Sequence, residues 1–316
     1  MRTSYVIAVL ESFDVVRKQL ILLSNALPKY NDDFELILVD DGSEPTLINK
    51  IFDFEGECFD SLSIVREEYN AKWASDIYTI EGLGFPFRVI ETYDKRPWTQ
   101  PRGRNMGADL AYGEWLLMTD IDHIIAEEGL ADAYAFNGDK MTFRRKYAIL
   151  LEEGDINYVD KLIEEVEKDF DEIHSSKVPN ETKSEEDILL SYNEKEYLLR
   201  ELAEIKEDLK KDKIKVIRNH YILEDYGCKH KDLEAGGNHA NTFIMKKSIF
   251  CDLLNGYDLK FCGKHGGDDT NLNDRYGKLF YNGKQVERHS VAKNLIYVYP
   301  DPNKDVKRVF HKLRRK

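Results

Sequence analysis

Two carboxylates follow a buried stretch in the middle of the chain. Residues 114–119 form a nearly continuous apolar run, which predicts a buried strand, and Asp120 and Asp122 come directly after it. Carboxylates at positions i and i+2 can converge on one Mg²⁺ or Mn²⁺ ion, because these cations prefer oxygen ligands and leave positions for substrate phosphates. The spacing alone is equally typical of an ordinary Asp-rich turn.

The elements around these acids favour the metal site. Met106, Leu110 and Ala111 recur at helical spacing, and Gly113 ends the predicted helix. A helix, a buried strand and then the acids form a unit of an open α/β sheet. Ligands of such sheets bind just outside the carboxyl ends of the strands.

Two arginines lie on the same predicted helix. Arg102 and Arg104 are candidates for contacts to a pyrophosphate or a base, since the arginine fork suits phosphate oxygens. Each could equally be an ordinary solvated arginine. Further along, Gly236 and Gly237 lack a Cβ and would let the backbone approach a ligand closely.

A second pair of acids occurs near the end of the chain. Asp268 and Asp269 follow Gly266 and Gly267, and the apolar positions after them predict a helix. Acids in the first turn of a helix are also favoured by its dipole. The pair alone therefore does not distinguish a catalytic site from a helix start.

The amino-terminal third predicts the fold class. Residues 4–10 and 34–39 are apolar runs of strand length, and residues 15–27 between them have apolar side chains at helical spacing. This β-α-β pattern predicts parallel strands joined by a right-handed crossover. Further strands are predicted at residues 87–92, 143–151 and 214–217. We therefore expect an α/β fold.

Two motif series resemble known enzymes. Residues 102–122, RGRNMGADLAYGEWLLMTDID, resemble the central signature of GT-A nucleotide-sugar glycosyltransferases, in particular the family 2 type. The carboxyl half, from GG and KKSIF through NGYD and GGDDxxLxxR to RHSxxKN, resembles the catalytic half of the β-1,4-galactosyltransferase type. The resemblance implies a Rossmann-like GT-A fold and a metal-dependent transfer of a sugar from a nucleoside diphosphate.

The resemblance also implies roles for single residues. Asp41 would hydrogen-bond the uracil ring of UDP, which suits an acceptor-only carboxylate, although the turn at 40–43 could simply cap a helix at Thr46. Asp269 corresponds to the catalytic base, and Asp268 to the acid that helps to hold the acceptor hydroxyls.

The implied metal ligands are Asp122 and His289, with Asp120 beside them near the ribose or sugar. Carboxylate and imidazole ligands completed by diphosphate oxygens suit Mn²⁺, with Mg²⁺ as the alternative. Two departures from the families stand out. The usual proline after the first strand is missing from residues 9–12, and the sugar-stacking tryptophan is replaced by His265.

We predict four segments. Residues 1–150 would form the nucleotide-sugar-binding half, 151–213 a charged helical hairpin insertion, 214–300 the acceptor and catalytic half, and 301–316 a basic tail. Two amphipathic helices are predicted within the insertion, at 155–174 and 185–211. The hairpin is either a solvated arm or an element that binds a partner, grips the acceptor or dimerises.

The net charge of −13 is concentrated in that insertion. Residues 151–212 have 21 acidic and 9 basic side chains, a net charge of −12, so the rest of the chain sums to −1. A strongly acidic surface argues against nucleic acid as a partner. Because the acid is confined to one segment, nucleic acid stays open but is not favoured.

Neither a transmembrane span nor a zinc site is expected. No apolar run approaches the roughly 18 residues of a membrane helix, and the amino terminus has no secretory signal pattern. The pairs Cys228 with His230 and Cys262 with His265 fit no standard zinc spacing. Reduced thiols in a cytoplasm, bacterial or that of a virus-infected host cell, are the expectation.

The sequence thus predicts an inverting hexosyltransferase that moves a sugar from a UDP-sugar to an acceptor hydroxyl. One general base without a second carboxylate nucleophile implies a single displacement. The leading acceptor is a saccharide or glycoconjugate, and the alternative is a hydroxylated base in DNA. A nucleotidyltransferase is less favoured, because residues 9–14 lack a Gly-rich basic loop.

Overall fold

The structure is a computed structural model. Its described residues are 2–54, 59, 61–94, 96, 99–121, 123–125, 127–147, 149–152, 220–223, 238–263, 267–281, 284–285 and 288–298, with single positions at 160, 163, 164, 199, 200 and 203. The predicted helices at 155–174 and 185–211 and the basic tail lie outside them, apart from those single positions. The division into four segments stays a prediction.

The described elements follow one another in this order: β1 (Thr3–Val9), α1 (Phe13–Ala26), β2 (Phe34–Asp40), α2 (Leu47–Asp53), β3 (Ser63–Asn70), β4 (Ser75–Glu81), β5 (Phe87–Thr92), α3 (Gln100–Leu110), β6 (Trp115–Thr119), β7 (His123–Ile125), α4 (Glu127–Ala135), β8 (Lys140–Tyr147), β9 (Ile149–Glu152), β10 (His220–Leu223), β11 (Asn238–Lys246), α5 (Asp268–Gly277), β12 (Phe280–Tyr281), β13 (Lys284–Gln285) and β14 (Arg288–Val298). Short turns of 3-10 helix occur at Pro28–Tyr30 and Leu259–Phe261, and a π-helical turn at Ile249–Leu253.

A ten-stranded mixed sheet has the order β3-β4-β5-β2-β1-β6-β11-β8-β14-β7. Strands β5, β2, β1 and β6 run parallel, whereas β4 and β11 flank them in antiparallel pairing. The chain moves from β1 outward to β5 and then crosses back to β6 on the other side of β1. The gap between β1 and β6 is therefore the topological switch point, where ligands of α/β sheets bind. The predicted α/β class is confirmed, and the arrangement is consistent with a GT-A-like fold.

Helices pack on both faces of the sheet because the strand side chains alternate. Tyr5 and Ile7 of β1 enter one core with Leu20 of α1. Val6 enters the other core with Met106 of α3. Fully burying such a side chain contributes roughly 1.5–3 kcal/mol, so the two cores fix the helices firmly against the strands.

Helix α3 lies unusually close to the sheet. A Cβ built at Gly107 would lie 2.4 Å from Cγ1 of Val6, so only glycine allows this approach. The helix starts at the carboxyl edge of the sheet and ends at Leu110, before the predicted end at Gly113. Its first turns are thereby held next to the ends of β2 and β6.

A buried ion pair fixes the opposite edge of the sheet. Arg88 donates from Nη2 to Glu35 at 2.6 Å and to the carbonyl of Leu110 at 2.8 Å. Glu35 also accepts from Ser4 Oγ at 2.5 Å and from the backbone N–H of Tyr112 at 2.6 Å. This network joins the amino-terminal ends of β1, β2 and β5 to the end of α3. It is far from the switch point and has a structural role.

The hairpin formed by β3 and β4 was not predicted. The strand predicted at 87–92 is β5, the fifth strand rather than the third. Nearly every side chain of β3 is exposed, so the strand has no buried face and leaves no alternating apolar pattern. The predicted strand at 143–151 is also divided, into β8 and β9.

The chain divides into two compact units, and the second contains the pair β9 and β10. These strands are antiparallel, with Ile149 opposite Leu223 and Glu152 opposite His220. The predicted strand at 214–217 lies outside the described residues. Within the described parts of the chain, no helix is long and apolar enough to cross a membrane.

Candidate functional site

Acidic side chains gather at the carboxyl edge of the parallel strands. Asp40 ends β2 and Asp41 follows it, Asp94 comes shortly after β5, and Asp120 comes directly after β6. Parallel strands end at the same edge of a sheet, so the topology brings these acids to the switch point. The prediction that Asp120 would stand outside a strand's carboxyl end agrees with this placement.

The two acids of the turn at 40–43 have different surroundings. Asp40 accepts from the backbone N–H groups of Ser43 at 2.9 Å and Leu47 at 2.7 Å. Asp40 therefore makes the turn and caps the start of α2, which is the structural role considered for the whole motif. Asp41 has no part in these two bonds.

Asp41 instead faces the start of α3. Its carboxylate accepts from the backbone N–H of Thr99 at 3.1 Å and from the Thr99 hydroxyl. The pKa of Asp41 is raised to about 7: burial raises it most, the bonds from Thr99 lower it, and the nearby Asp94 and Asp40 raise it. Contact with a uracil ring stays a prediction.

Replacing Asp41 by asparagine is expected to stabilise the protein more at pH 8 than at pH 5. The folded-state pKa of about 7 lies above the usual value of 3.8, so the folded protein binds the extra proton between these pH values. Its stability therefore falls as pH rises towards 7. The asparagine side chain stays neutral at both pH values, and the gain at pH 8 relative to pH 5 should be on the order of 2 kcal/mol.

Urea unfolding of both proteins at the two pH values measures this difference. Asp53→Asn is the matched control, because Asp53 is exposed and pairs with Lys50 at the surface. A pH-independent difference between Asp41→Asn and wild type would contradict the assigned pKa.

Arg102 is not a solvated arginine. Its Nη2 donates to the backbone carbonyl of Trp73 at 2.6 Å, and its Nε lies 3.8 Å from Oδ2 of Asp94. Asp94 also binds Arg96, whose hydrogen bonds hold the pKa of Asp94 below its usual range. Arg102 thus ties the β3–β4 turn to the carboxyl edge, next to Asp41.

Arg104 is completely buried, with an exposed fraction of 0%. Its guanidinium donates from Nη2 to Oδ1 of Asp120 and from Nη1 to the Tyr257 hydroxyl at 2.9 Å and Oδ1 of Asn241 at 3.1 Å. A solvated arginine is excluded by this environment. In this conformation a ligand cannot touch the guanidinium either, because no part of the side chain is accessible.

Asp120 is the more accessible member of the pair, with 17% of its side chain exposed. Oδ1 also accepts from Nε2 of Gln100 at 2.7 Å. The loop after Asp120 is fixed by buried contacts, because His123 Nδ1 lies 2.7 Å from Thr242 Oγ1 and Gln19 donates to the His123 carbonyl at 2.7 Å. The carboxylate therefore stands at the edge of the sheet in a defined orientation.

Helix α5 begins with the second pair of acids, as predicted. Asp268 is buried, and burial raises its pKa, while Arg104 lowers this pKa and Asp269 raises it. Oδ2 of Asp268 has no hydrogen-bond partner among the described residues. Asp269 is only partly buried and accepts from the backbone N–H of Thr270 at 2.7 Å.

The turn that contains the NGYD sequence is held between α3 and α5. Asn105 exchanges two hydrogen bonds with the backbone of Tyr257, at 2.7 and 2.8 Å. Arg275 donates to the carbonyls of Leu254 at 2.5 Å and Gly256 at 2.7 Å. The arginine and asparagine of the two sequence motifs therefore position Tyr257 beside Arg104.

Several site residues were not predicted from the sequence. They share a supporting role around Arg104, Asp120 and Asp41: Gln19, Thr99, Gln100, Asn241, Thr242 and Tyr257. The asparagine and the tyrosine stand inside the quoted motif regions, which was the only signal for them. Uncharged polar residues have no spacing rule that would reveal a shared site.

The predicted metal ligands are only partly described. Asp122, Gly236, Gly237 and Gly266 lie outside the described residues, as does the side chain of His289. Strand β14, which contains His289, is the hydrogen-bonded neighbour of β7, which begins directly after Asp122. Among the side chains that the structure does describe, no three acidic, histidine or cysteine groups form a cluster for a metal.

The alternative zinc pairs lie mostly outside the described part of the chain. Cys228, His230 and His265 are not among its residues. Cys251 and Cys262 are free thiols. Cys262 is near Arg96 and Asp41, and burial raises its pKa; a zinc ligand would need the thiolate form.

Comparison with known proteins gives little independent information. No protein-family profile matches the sequence, and no curated protein matches it. One matching solved structure is the crystal structure of S. aureus TarS 1-349, with a TM-score of 0.44 and 14% sequence identity. The match covers 98% of this chain and 63% of that one, so this chain spans less than two thirds of its length.

Proposed function

We propose that the protein is a GT-A-type glycosyltransferase that moves a sugar from a UDP-sugar to an acceptor hydroxyl with inversion. One observation carries the proposal. Arg104 of the amino-terminal motif donates hydrogen bonds to Asp120 of the same motif and to Tyr257 of the carboxyl-terminal series, beside the switch point of the sheet. Two motif series that resemble the two halves of such an enzyme thus meet where an α/β sheet binds its ligand.

The donor set suits a divalent cation. Asp122 and His289, with Asp120 beside them, would hold Mn²⁺ or Mg²⁺, and the accessible part of the Asp120 carboxylate supports this. When bound, the ion neutralises charge on the leaving diphosphate. On the donor side, Asp41 and Arg102 border the same edge and are the proposed contacts to the base and the pyrophosphate.

The two acids at the start of α5 have different proposed roles towards the acceptor. Asp269 is partly exposed, so it can take the proton from the attacking hydroxyl. Asp268 is buried, and its Oδ2 has no hydrogen-bond partner among the described residues, so this atom would accept a hydrogen bond from a second acceptor hydroxyl. The attack then proceeds from the face opposite the leaving group, in a single displacement with inversion.

The acceptor class follows from the same pair. Two carboxylates offer hydrogen-bond acceptors to the hydroxyl groups of a saccharide or glycoconjugate. A hydroxylated base in DNA is the other candidate, and it would be held through phosphate contacts, whose strength falls steeply with salt.

Hydrolysis of UDP-sugars with Mn²⁺ tests the proposal before the acceptor is known. We expect release of UDP from one or a few UDP-sugars, loss of this activity with chelator, and no release of pyrophosphate from nucleoside triphosphates. Pyrophosphate release without UDP release would indicate a nucleotidyltransferase. No turnover of any UDP-sugar, together with no binding of UDP, would reject the proposal.

A further inference from the structure

The two halves of the site are joined by a single buried cation. The Arg104 guanidinium donates to Asp120 at the end of β6 and to Tyr257, whose turn is held by Arg275 of α5. Arg104 also lowers the pKa of Asp268 at the start of α5. Both carboxylates in turn raise the pKa of Arg104. Two acids that are 148 positions apart in the sequence thus share one counter-charge.

Arg104 is held in its orientation by uncharged neighbours as well as by Asp120. The Tyr257 hydroxyl and the Asn241 side chain accept from its Nη1, and the Tyr257 ring lies 5.4 Å from the guanidinium carbon. Tyr257 is itself fixed by the two bonds to Asn105. A rigid, planar side chain with three fixed acceptors has one orientation.

We infer that Arg104 is a positioning residue that fixes the orientation of the Asp120 and Asp268 carboxylates relative to each other. Tyr257 in turn fixes the orientation of the Arg104 guanidinium. This inference rests on the proposed function. It separates Arg104 from Arg102, since 16% of the Arg102 side chain is exposed whereas Arg104 is completely buried. The buried guanidinium acts on the reaction through the two carboxylates.

The rival role for Arg104 is a direct contact with the diphosphate. A lysine would largely preserve such a contact, since its ammonium binds phosphate as a point charge. It cannot reproduce a planar fork that serves three acceptors at once. A direct contact would also depend on the charge of Arg104 more than on the Tyr257 hydroxyl, which accepts from Nη1.

The first experiment is kinetic and uses Tyr257→Phe and Arg104→Lys in the full chain. Losing a partner that orients a ligating group costs roughly 10- to 100-fold in activity. We expect Tyr257→Phe to lower kcat for UDP-sugar hydrolysis by about that factor while KM changes little, and Arg104→Lys to lower kcat at least as much. The double variant should be no worse than Arg104→Lys, because both act through one contact.

Arg88→Lys is the matched control, since it alters the other buried arginine–carboxylate pair, with Glu35, at the opposite edge of the sheet. It should lower the melting temperature as Arg104→Lys does but keep kcat. Equal losses of kcat in Arg88→Lys and Arg104→Lys would mean that general destabilisation, not positioning, causes the effect.

A second experiment needs no activity. Carboxyl labelling with a carbodiimide, read by mass spectrometry, reports whether Asp268 and Asp120 stay in place. We expect higher labelling of Asp268 in Tyr257→Phe and Arg104→Lys than in wild type, and unchanged labelling in Arg88→Lys. Unchanged labelling of both acids and wild-type kcat in Tyr257→Phe would overturn the inference. An inactive wild type with the expected labelling pattern would instead refute the proposed function and leave the positioning role standing.

Discussion

Asp269→Asn is expected to lower kcat by roughly two to four orders of magnitude, the usual contribution of a general base. Asparagine has nearly the same shape as aspartate but cannot accept a proton. Asp269 is partly exposed and bonds mainly to the neighbouring Thr270, so the substitution should leave both the fold and UDP binding unchanged. Steady-state kinetics with donor and acceptor measure the loss, and calorimetric titration with UDP measures the binding.

Asp268→Asn is the matched control for this substitution. Asp268 is buried and is proposed to hold the acceptor, so its replacement should raise the acceptor KM more than it lowers kcat. A larger effect of Asp268→Asn on kcat than on the acceptor KM would instead assign Asp268 as the base and Asp269 as the residue that holds the acceptor. A product with the same anomeric configuration as the donor would contradict the inverting mechanism for either assignment.

The sheet could be predicted from the sequence wherever its strands are buried. The apolar runs of β1, β2, β5 and β6 and the helical spacing of α1 and α3 are direct consequences of burial on one or both faces. Strand β3 could not be predicted in this way, since it lies at the edge of the sheet with its side chains in water. The apolar pattern in the sequence therefore reflects the burial of side chains and not strand formation as such.

The site could be predicted only where charged residues stand in recognisable motifs. Asp120 and Asp268 were predicted as site residues from spacing and order; the structure bonds Asp120 to Arg104 and places Asp268 at the buried start of α5. The uncharged partners were not predicted. In the sequence, a tyrosine such as Tyr257 cannot be distinguished from an ordinary core residue, because the hydrogen-bond partner of its hydroxyl is not visible there. The buried state of Arg104 was also invisible, since arginine is rarely buried and its pairing is decided by tertiary contacts.

In the turn at 40–43, the adjacent residues Asp40 and Asp41 have different structural roles. Asp40 points back to cap α2, whereas Asp41 points to Thr99 at the start of α3. Alternation along an extended chain sends neighbouring side chains to opposite faces. The sequence alone could not decide between a helix cap and a ligand contact, because the cap belongs to one aspartate and leaves the other available.

Asp122→Ala and His289→Ala are each expected to abolish Mn²⁺-dependent sugar transfer while the protein keeps its melting temperature. The resemblance assigns both as metal ligands, and strand β14 with His289 is the neighbour of β7, which begins directly after Asp122. Removing one of so few protein ligands would weaken the binding of the ion at this site. The diphosphate then leaves without the neutralising charge that the metal supplies.

Calorimetric titration with Mn²⁺ in the presence of UDP separates loss of the metal from loss of the fold. Wild type should bind one ion, and both variants should bind it at least roughly tenfold more weakly, which corresponds to about 1.4 kcal/mol. Asp53→Ala, which removes an exposed acid paired with Lys50 at the end of α2, should bind Mn²⁺ and turn over like wild type. Transfer at the wild-type rate in excess chelator, or in either ligand variant, would exclude this metal site and the mechanism that depends on it.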